Sequence, residues 1–556
     1  MIQPQIAMNI KWFYLLICIA VLINFTGLFI PIMGPDGTLY AVIAKTMVQH
    51  NNYVDLLNHG KDWLDKPHFP FWVTALSFKY FGFTTWAYKL PGILFLMMGA
   101  VYTYLFARDL YNKEIALWSV LILLTAQHIV LSNNDVRAEP YLTGLIIAAV
   151  YHFYRASKNG AFWHLFAGSL FAACAIMTKG MFAIVPIGGP IAGHLIISRQ
   201  WKALFNWKWL IAIGLTAIFI IPEVWCLYQQ FDLHPEKVIF GQNGVSGIRF
   251  FFWDSQFGRF FNTGPIKGHG SPFFFAHTLL WAFLPWSLLL IAAIYRLIKK
   301  GRKNVSQHEW YCVCGSLLTF LLFSASKFQL PHYLNIVFPF FAILTAQYLY
   351  YTRSEKTLSV IKITQSVVII VILSTTGLLD YYFRPEIVSW FAIIAIVLIF
   401  LWVLFLPGFK DTALWQKITL RTVLASFIVN LYLNLSFFPS LIRYQAGSEA
   451  AIWMNSHNPQ NLPVAILDEG AYNAAFEFYS NKPVNLFYTY GNDSLPPHPF
   501  LAYGPANVLK RLSAGGLNTQ QLAGFDRYWI TRLTPSFLNW DTRRKELTTT
   551  VVAIVK

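Results

Sequence analysis

The sequence is poor in charge. Asp, Glu, Lys and Arg together make up 12% of its 556 residues, against roughly 25% in an ordinary soluble domain. So few charges cannot cover a soluble surface, which excludes a water-soluble enzyme of this size. Cysteine is nearly absent. Cys18, Cys174, Cys226, Cys312 and Cys314 lie in or beside apolar runs, so neither a disulfide framework nor a cysteine metal site is expected. There is no phosphate-cradling glycine loop, no zinc motif and no repeat of fixed period. What is abundant is apolar and aromatic: 56% hydrophobic residues, with 20 Trp, 28 Tyr and 49 Phe. This excludes a disordered chain and leaves an α-helical, multi-span membrane protein. The net charge of +17 would point to nucleic acid in a soluble protein. Here it is spread over short loops between apolar runs, the pattern of topology signals and anionic lipid contacts. Membrane lipid is therefore an expected partner and nucleic acid is not.

The first apolar run, Trp12 to Met33, is too long for a signal-peptide core and reads as a retained first helix. Further spans are expected at 90–108, 114–132, 138–155, 162–178, 181–198, 208–228, 274–298, 310–325, 331–351, 360–379, 387–407 and 420–441, about thirteen in all. With the N-terminus inside, the inner segments hold Lys11; Arg108 and Lys113; Arg155 and Lys158; Arg199, Lys202 and Lys208; Arg296, Lys299, Lys300, Arg302 and Lys303; Arg353, Lys356 and Lys362; and Lys410, Lys417 and Arg421. These 19 face four in the short outer loops, Arg137, Lys179, Lys327 and Arg384. The positive-inside rule supports that orientation, and an odd count puts the tail outside. The expected organisation is a transmembrane domain over 1–442, with long outer loops at 34–89 and 229–272, and an outer α/β domain over 443–556. In a bacterium this means the inner membrane, with a cytoplasmic N-terminus and a periplasmic tail.

Within the first outer loop, Leu39, Ile43 and Met47 recur at four-residue spacing opposite Lys45 and Gln49. That periodicity predicts an amphipathic helix lying on the membrane surface. The tail predicts a helix at 446–455 and strands at 463–468, 483–487, 500–503, 527–531 and 549–555, bounded by Gly, Pro, Asn and Asp.

Acidic groups near a bilayer are costly, at roughly 2.5–3.5 kcal/mol each in mid-membrane, so those at the outer ends of spans are candidate functional groups. Asp36 follows the first span in Gly34-Pro35-Asp36-Gly37, and Asp135 and Glu139 precede the fourth span's apolar stretch. Two carboxylates at one surface could orient or deprotonate an acceptor; solvated helix caps are the bland alternative. The cations on the same side are Lys66, Arg137, Lys179, Arg259 and Lys327. Convergence of several would suit a phosphate or pyrophosphate, whereas a single one more commonly snorkels to the interface. His59, His68, His269 and His332 also lie outside. A divalent metal site could be assembled from them, although no close pair has ligand spacing, and no other cofactor is indicated.

In order along residues 10–350, the motifs together are similar to those of lipid-linked-sugar glycosyltransferases. They are Asp36 after span one, Asp65-Lys66-Pro67 before an aromatic stretch, Glu139-Pro140-Tyr141-Leu142, Thr178-Lys179-Gly180, Phe252 to Phe260, Ser271-Pro272-Phe273, Leu284-Pro285-Trp286, and Lys327 with Leu330-Pro331-His332-Tyr333. The order most resembles the lipid A aminoarabinose transferase group and its relatives in the protein O-mannosyltransferase superfamily. The resemblance implies a GT-C fold and a sugar donor carried on polyprenyl phosphate, usually undecaprenyl phosphate. The acceptor would be a glycolipid, glycan or protein of the envelope. It maps the catalytic acid to Asp36, a second acid to Glu139 and the donor-phosphate lysine to Lys66. Arg259 is a further phosphate candidate, joined by Lys179, Lys327 and Arg137, while Tyr40, Asp135, His269, His332 and Tyr333 are candidate substrate contacts. One departure stands out. Relatives read Asp-Glu-x-Arg-Tyr where this chain has Asp36-Gly37-Thr38-Leu39-Tyr40, so a second acid and an arginine are missing there. The rival class is a transporter or flippase of lipid-linked sugars. It would also need outer cations and a cavity, but the inverted repeat common among transporters is absent.

Overall fold

Each of the thirteen apolar runs carries helix in the computed structural model, which describes residues 9–300, 309–387, 389–405, 412–467, 473–487, 496–514 and 516–556. A helix satisfies its backbone hydrogen bonds within one segment, which an apolar medium demands. The first part of the chain forms α1 (Ile10–Phe25), α2 (Pro35–Gln49), α3 (Phe69–Phe81), α4 (Thr85–Leu110), α5 (Lys113–Thr125), α6 (Gln127–Asn134), α7 (Ala138–Asn159), α8 (Phe162–Lys179), α9 (Ile184–Ile197), α10 (Trp201–Leu204) and α11 (Lys208–Leu227). Among the described residues, seven helical stretches are long and apolar enough to cross a membrane alone, and the bent pair α5–α6 makes eight. Met181–Ile197, Trp310–Ala325 and Trp390–Trp402 are apolar but shorter. The expected count of thirteen therefore includes shorter or more polar helices. One is α7, whose side chains are buried in the bundle almost throughout, so protein rather than lipid surrounds it.

The bend between α5 and α6 is 51° and falls at Ala126, whose backbone is extended. Neighbouring segments take the backbone groups it frees. Asn24 Nδ2 donates to Leu124 O at 3.0 Å, and Gln127 N donates to Leu284 O at 2.9 Å. Past the bend a ladder of buried amides ties α6 to the end of α1. Asn133 Nδ2 donates to Asn24 Oδ1 at 2.7 Å, Asn134 Nδ2 to Asn434 Oδ1 at 2.9 Å, and Asn434 Nδ2 to Ile23 O at 3.1 Å. Lys89, fully buried, donates to the carbonyls of Gly27 and Ile30. Leaving any one such group unpaired costs about 1–3 kcal/mol. The ladder therefore fixes where two turns leave the bundle, the one before Asp36 and the one holding Asp135 and Arg137.

α2 does not lie on a lipid surface. Ile43 and Met47 pack with Leu56, Phe71 and Ala75. Lys45, expected on the solvent side, is 9% exposed. Its Nζ donates to the carbonyls of Glu477, Phe478 and Ser480 at 3.0–3.2 Å, at the end of the tail helix Ala474–Tyr479. Periodicity identified an apolar face, but it carries no information about what covers that face or its opposite.

Two small hairpins brace the outer loops, β1 (Leu57–Asn58) with β2 (Lys61–Asp62) and β3 (Val238–Ile239) with β4 (Gln242–Asn243). The tail builds a five-stranded sheet from β5 (Val464–Leu467), β6 (Val484–Phe487), β7 (Phe500–Pro505), β8 (Thr519–Arg527) and β9 (Thr548–Val555), in the order β6-β5-β7-β9-β8. β5 pairs parallel with β6 and β7, and β9 pairs antiparallel with β7 and β8. The helix expected at 446–455 is Ala446–Ser456. The strand expected at 527–531 is displaced: β8 ends at Arg527, and the apolar residues after it dock on the bundle. Tyr528 N donates to Tyr444 O at 2.9 Å, and Ile530 is buried with Ile30, Met33, Phe437 and Phe438. Arg543, 3% exposed, completes the junction. Its guanidinium donates to Phe383 O, to Phe537 O at 3.0 Å and to Tyr444 Oη at 2.9 Å. Asp468, the last residue of the strand expected at 463–468, lies outside the described residues.

Candidate active site

Segments far apart in sequence, between Asp36 and Tyr333, meet around a chamber of about 600 Å³. Asp36 reaches it from the first turn of α2. Gly34 enters that turn at φ +78°, a conformation open to glycine and strained for other residues, and Pro35 takes the first helical position. The carboxylate of Asp36 thus sits at a helix N-terminus, where the dipole favours negative charge. Gln445 of the tail clamps the turn from both sides, accepting from Gly34 N and donating to Ile32 O at 2.9 Å each.

Arg137 lies between two carboxylates. Its Nε donates to Asp135 at 3.0–3.1 Å and its Nη1 to Asp36. Burial opposes charge on this guanidinium, but Asp135 and Asp36 hold its pKa above the ordinary value. Asp135 is pushed up by burial despite Arg137, with Asp36 and Glu139 adding to the rise. The two acids differ in access, with side-chain exposures of 45% for Asp36 and 22% for Asp135. Asp36 is the one open to a substrate. Tyr40 lines the same wall, its phenol held strongly neutral by burial and by the charges of Asp65 and Asp36.

The chamber also holds a cationic cluster. Lys66 Nζ donates to Asp65 Oδ2 at 2.8 Å, and Arg259 donates to Asp65 Oδ1. Burial alone would raise the Asp65 carboxyl, but Lys66 and Arg259 bring it down to about 2. Lys66 is lowered by burial, with Arg259 adding to the fall and Asp65 opposing it. Lys179, at the end of α8, is paired with Glu139, which is 2% exposed; its Nζ lies 3.5 Å from the Tyr333 ring centroid. His332 Nε2 is 3.7 Å from the same Glu139 carboxylate. The Thr178-Lys179-Gly180 motif has a steric reason. Gly180 has φ +101°, and a Cβ there would lie 2.1 Å from Gln256 Nε2.

From the cationic cluster a second cavity of about 630 Å³ leads away. It shares Lys179, Arg259, Phe328 and Tyr333 with the chamber and continues along Leu142, Ile146, Phe182, Phe323 and Ile336. The arrangement suits an amphipathic phosphate, with its charge among the cations and its chain along the apolar groove.

The chamber wall thus includes Asp36, Tyr40, Lys66, Arg137, Glu139, Lys179, Arg259, His332 and Tyr333, with Asp135 bound behind Arg137. Lys327 and His269 are exposed and do not line it. The backbone of Lys327 instead donates to Phe260 O at 3.1 Å, holding its loop against the second outer loop. Among the described residues no group of three or more His, Cys, Asp and Glu is placed to hold a metal. Sequence reasoning missed Asp65 as the group between the two cations, although it stands next to Lys66 in the motif, and it missed Gln445, which carries no local signal. The missing second acid has a spatial substitute. A Cβ at Gly37 would lie 3.4 Å from Asp135 Oδ1, so the Asp135 carboxylate fills that space. Leu39, where relatives have arginine, lines the chamber without charge.

The paired charges predict a pH signature. The carboxylate of Asp65 is depressed on folding, so its contribution is present above the unfolded pKa near 4 and is lost as pH falls towards about 2. Asp65→Asn should destabilise the protein by roughly 2 kcal/mol at pH 6. The gap between variant and wild type in thermal midpoint should narrow as the pH is lowered from 5 to 3; a constant gap would mean that the ion pairs are not its source.

The chain is similar in sequence and in fold to known proteins. Residues 65–225 match the family described as dolichyl-phosphate-mannose-protein mannosyltransferase. The chain is 27% identical to the undecaprenyl phosphate-alpha-4-amino-4-deoxy-L-arabinose arabinosyl transferase of Edwardsiella ictaluri (strain 93-146), over 58% of this chain and 56% of that enzyme. It is 25% identical to an uncharacterized protein of Aquifex aeolicus (strain VF5), over 81% of this chain and 83% of that protein. The crystal structure of ArnT from Cupriavidus metallidurans bound to undecaprenyl phosphate superimposes with a TM-score of 0.74, covering 98% of each chain at 17% identity. The resemblance drawn from the motifs therefore holds in sequence and in fold: this chain has the GT-C architecture, with a small sheet domain at its C-terminus.

Proposed function

We propose that this multi-pass membrane protein is a glycosyltransferase moving a sugar from a polyprenyl phosphate, of the undecaprenyl phosphate type, to an acceptor of the cell envelope. The observation that carries this reading is the chamber's asymmetry. One open carboxylate, Asp36, shares the chamber with Lys66, Arg259 and Lys179, and an apolar groove continues from Lys179 and Arg259. The similarity to the aminoarabinose transferases supports the same donor chemistry and makes a lipid A-like glycolipid the leading acceptor class.

In this reading the acceptor nucleophile attacks the anomeric carbon, the bond to the donor phosphate breaks with inversion, and polyprenyl phosphate leaves. Charge grows on the departing phosphate, and fixed cations in a partly dry chamber stabilise it. Lys66 and Arg259 fill that role, held side by side by their common partner Asp65. Asp36 orients the acceptor hydroxyl or takes its proton; if the acceptor is itself a phosphate, no strong base is needed and Asp36 serves by positioning. Glu139 is neutralised by Lys179, so its contribution is to hold that ammonium in place, and Arg137 organises Asp36 rather than gripping phosphate.

The test is a cell-free reaction of membranes with a pool of polyprenyl-phosphate sugars, scoring release of polyprenyl phosphate. Release that depends on Asp36 supports transfer; movement of intact donor without cleavage would make the protein a transporter instead. The orientation proposed with it puts the N-terminus in the cytoplasm and the tail outside, supported by the excess of basic residues in the short loops assigned to the inner side. A periplasmic reporter fused at the C-terminus should be active and a cytoplasmic one silent; the reverse would overturn the placement of the chamber on the outer face.

A further inference from the structure

The segment that carries Lys66 is anchored to α11 by a buried ion pair outside the chamber. Glu223 and His68 are both fully buried. Glu223 Oε2 accepts from His68 N at 2.9 Å, and Oε1 lies 3.0 Å from His68 Nδ1. The other ring nitrogen, Nε2, is 2.8 Å from Val54 O. With Glu223 ionised, the carboxylate and the carbonyl can only accept, and the geometry then suits an imidazolium with both ring nitrogens protonated. Burial opposes that charge, but Glu223 and the two hydrogen bonds overcome it and hold the imidazole above its ordinary pKa. Two turns further on, in the π-helical segment Tyr228–Asp232 that continues α11, Gln230 exchanges hydrogen bonds with the Leu56 backbone at 3.0 Å and donates to Asp62 at 2.9 Å. A buried ion pair is weak evidence for a purely stabilising role, because a packed apolar pair often does as well. What it supplies here is direction. Three hydrogen bonds fix His68, and only Pro67, whose φ is locked by its ring, separates His68 from Lys66.

We infer that Glu223 is a positioning residue for the donor phosphate, acting through His68 to set the place of the Lys66 ammonium. This rests on the donor-phosphate reading of Lys66. The experiment measures equilibrium binding of undecaprenyl phosphate to the full chain in lipid nanodiscs. Glu223→Ala should weaken binding about tenfold. Glu223→Gln should stay within about threefold, because the amide can accept from His68 N and donate to Nδ1 of a neutral ring. Once Lys66 is already alanine, adding Glu223→Ala should cost little more, since the two residues act as one unit. If Glu223→Ala does not fold, Glu223→Asp carries the test, its shorter side chain giving an intermediate loss. Wild-type affinity in Glu223→Ala, a Glu223→Gln variant as weak as Glu223→Ala, or full multiplication of the two losses in the double variant would each overturn the inference. A Lys66→Ala variant that binds undecaprenyl phosphate normally would instead remove the donor-phosphate reading itself.

Discussion

Asp36→Asn should lower transfer by at least about 100-fold, within the range for losing a positioned acid or base, while leaving yield and thermal stability near wild type. The substitution is close to isosteric, and the amide oxygen can still accept from Arg137, which keeps its bonds to Asp135. Because Asp36 is among the more exposed groups of the chamber, no buried charge is stranded by its neutralisation. What disappears is the only acid of the Asp36–Arg137–Asp135 group with room to meet a substrate. Purified variant and wild type would be compared for turnover at saturating donor. Retention of more than about a tenth of wild-type turnover, a loss below ~1.4 kcal/mol, would remove Asp36 from the chemistry and leave it a helix-start residue.

Lys66→Ala should cost about 100-fold in kcat/KM for the donor, comparable to removing one charged or hydrogen-bonding group from a transition-state site, with a much smaller change in acceptor KM. Lys66 and Arg259 converge on Asp65, and that convergence marks the position a phosphate would share. Arg259→Ala should act in the same direction. Lys66→Arg should restore only part of the activity, since a planar fork cannot reproduce a compact ammonium in a chamber already holding two guanidiniums, those of Arg137 and Arg259. Lys327→Ala is the matched control: a cation of the same motif series, exposed and not part of the chamber lining, expected to leave donor kinetics unchanged. Equal losses at limiting and saturating donor, with donor affinity intact, would rule out phosphate binding by Lys66.

Much of this protein was legible from the chain alone, and the reason is solvent. Hydrocarbon demands long apolar helices and penalises charge, so the helical runs could be read from hydropathy and the few outer acids and cations stood out as candidates. Asp36, Lys66, Glu139, Lys179 and Arg259 were picked out in that way, and the fold brings all of them to one chamber. Pairing was not legible. That Glu139 is bound to Lys179, that Arg137 bridges Asp36 and Asp135, and that Asp65 joins Lys66 to Arg259 are contacts between segments separated by up to about 190 residues, and no local pattern encodes them. The same limit misplaced α2 on the membrane, because an apolar face looks alike whether lipid or protein covers it. It also left Lys327 and His269 among the candidates, because a loop position does not reveal which way a side chain turns. Composition and periodicity report what each segment must be buried against in kind. Which partner buries it, and which charge is left open to react, is decided only when distant segments close around a common space.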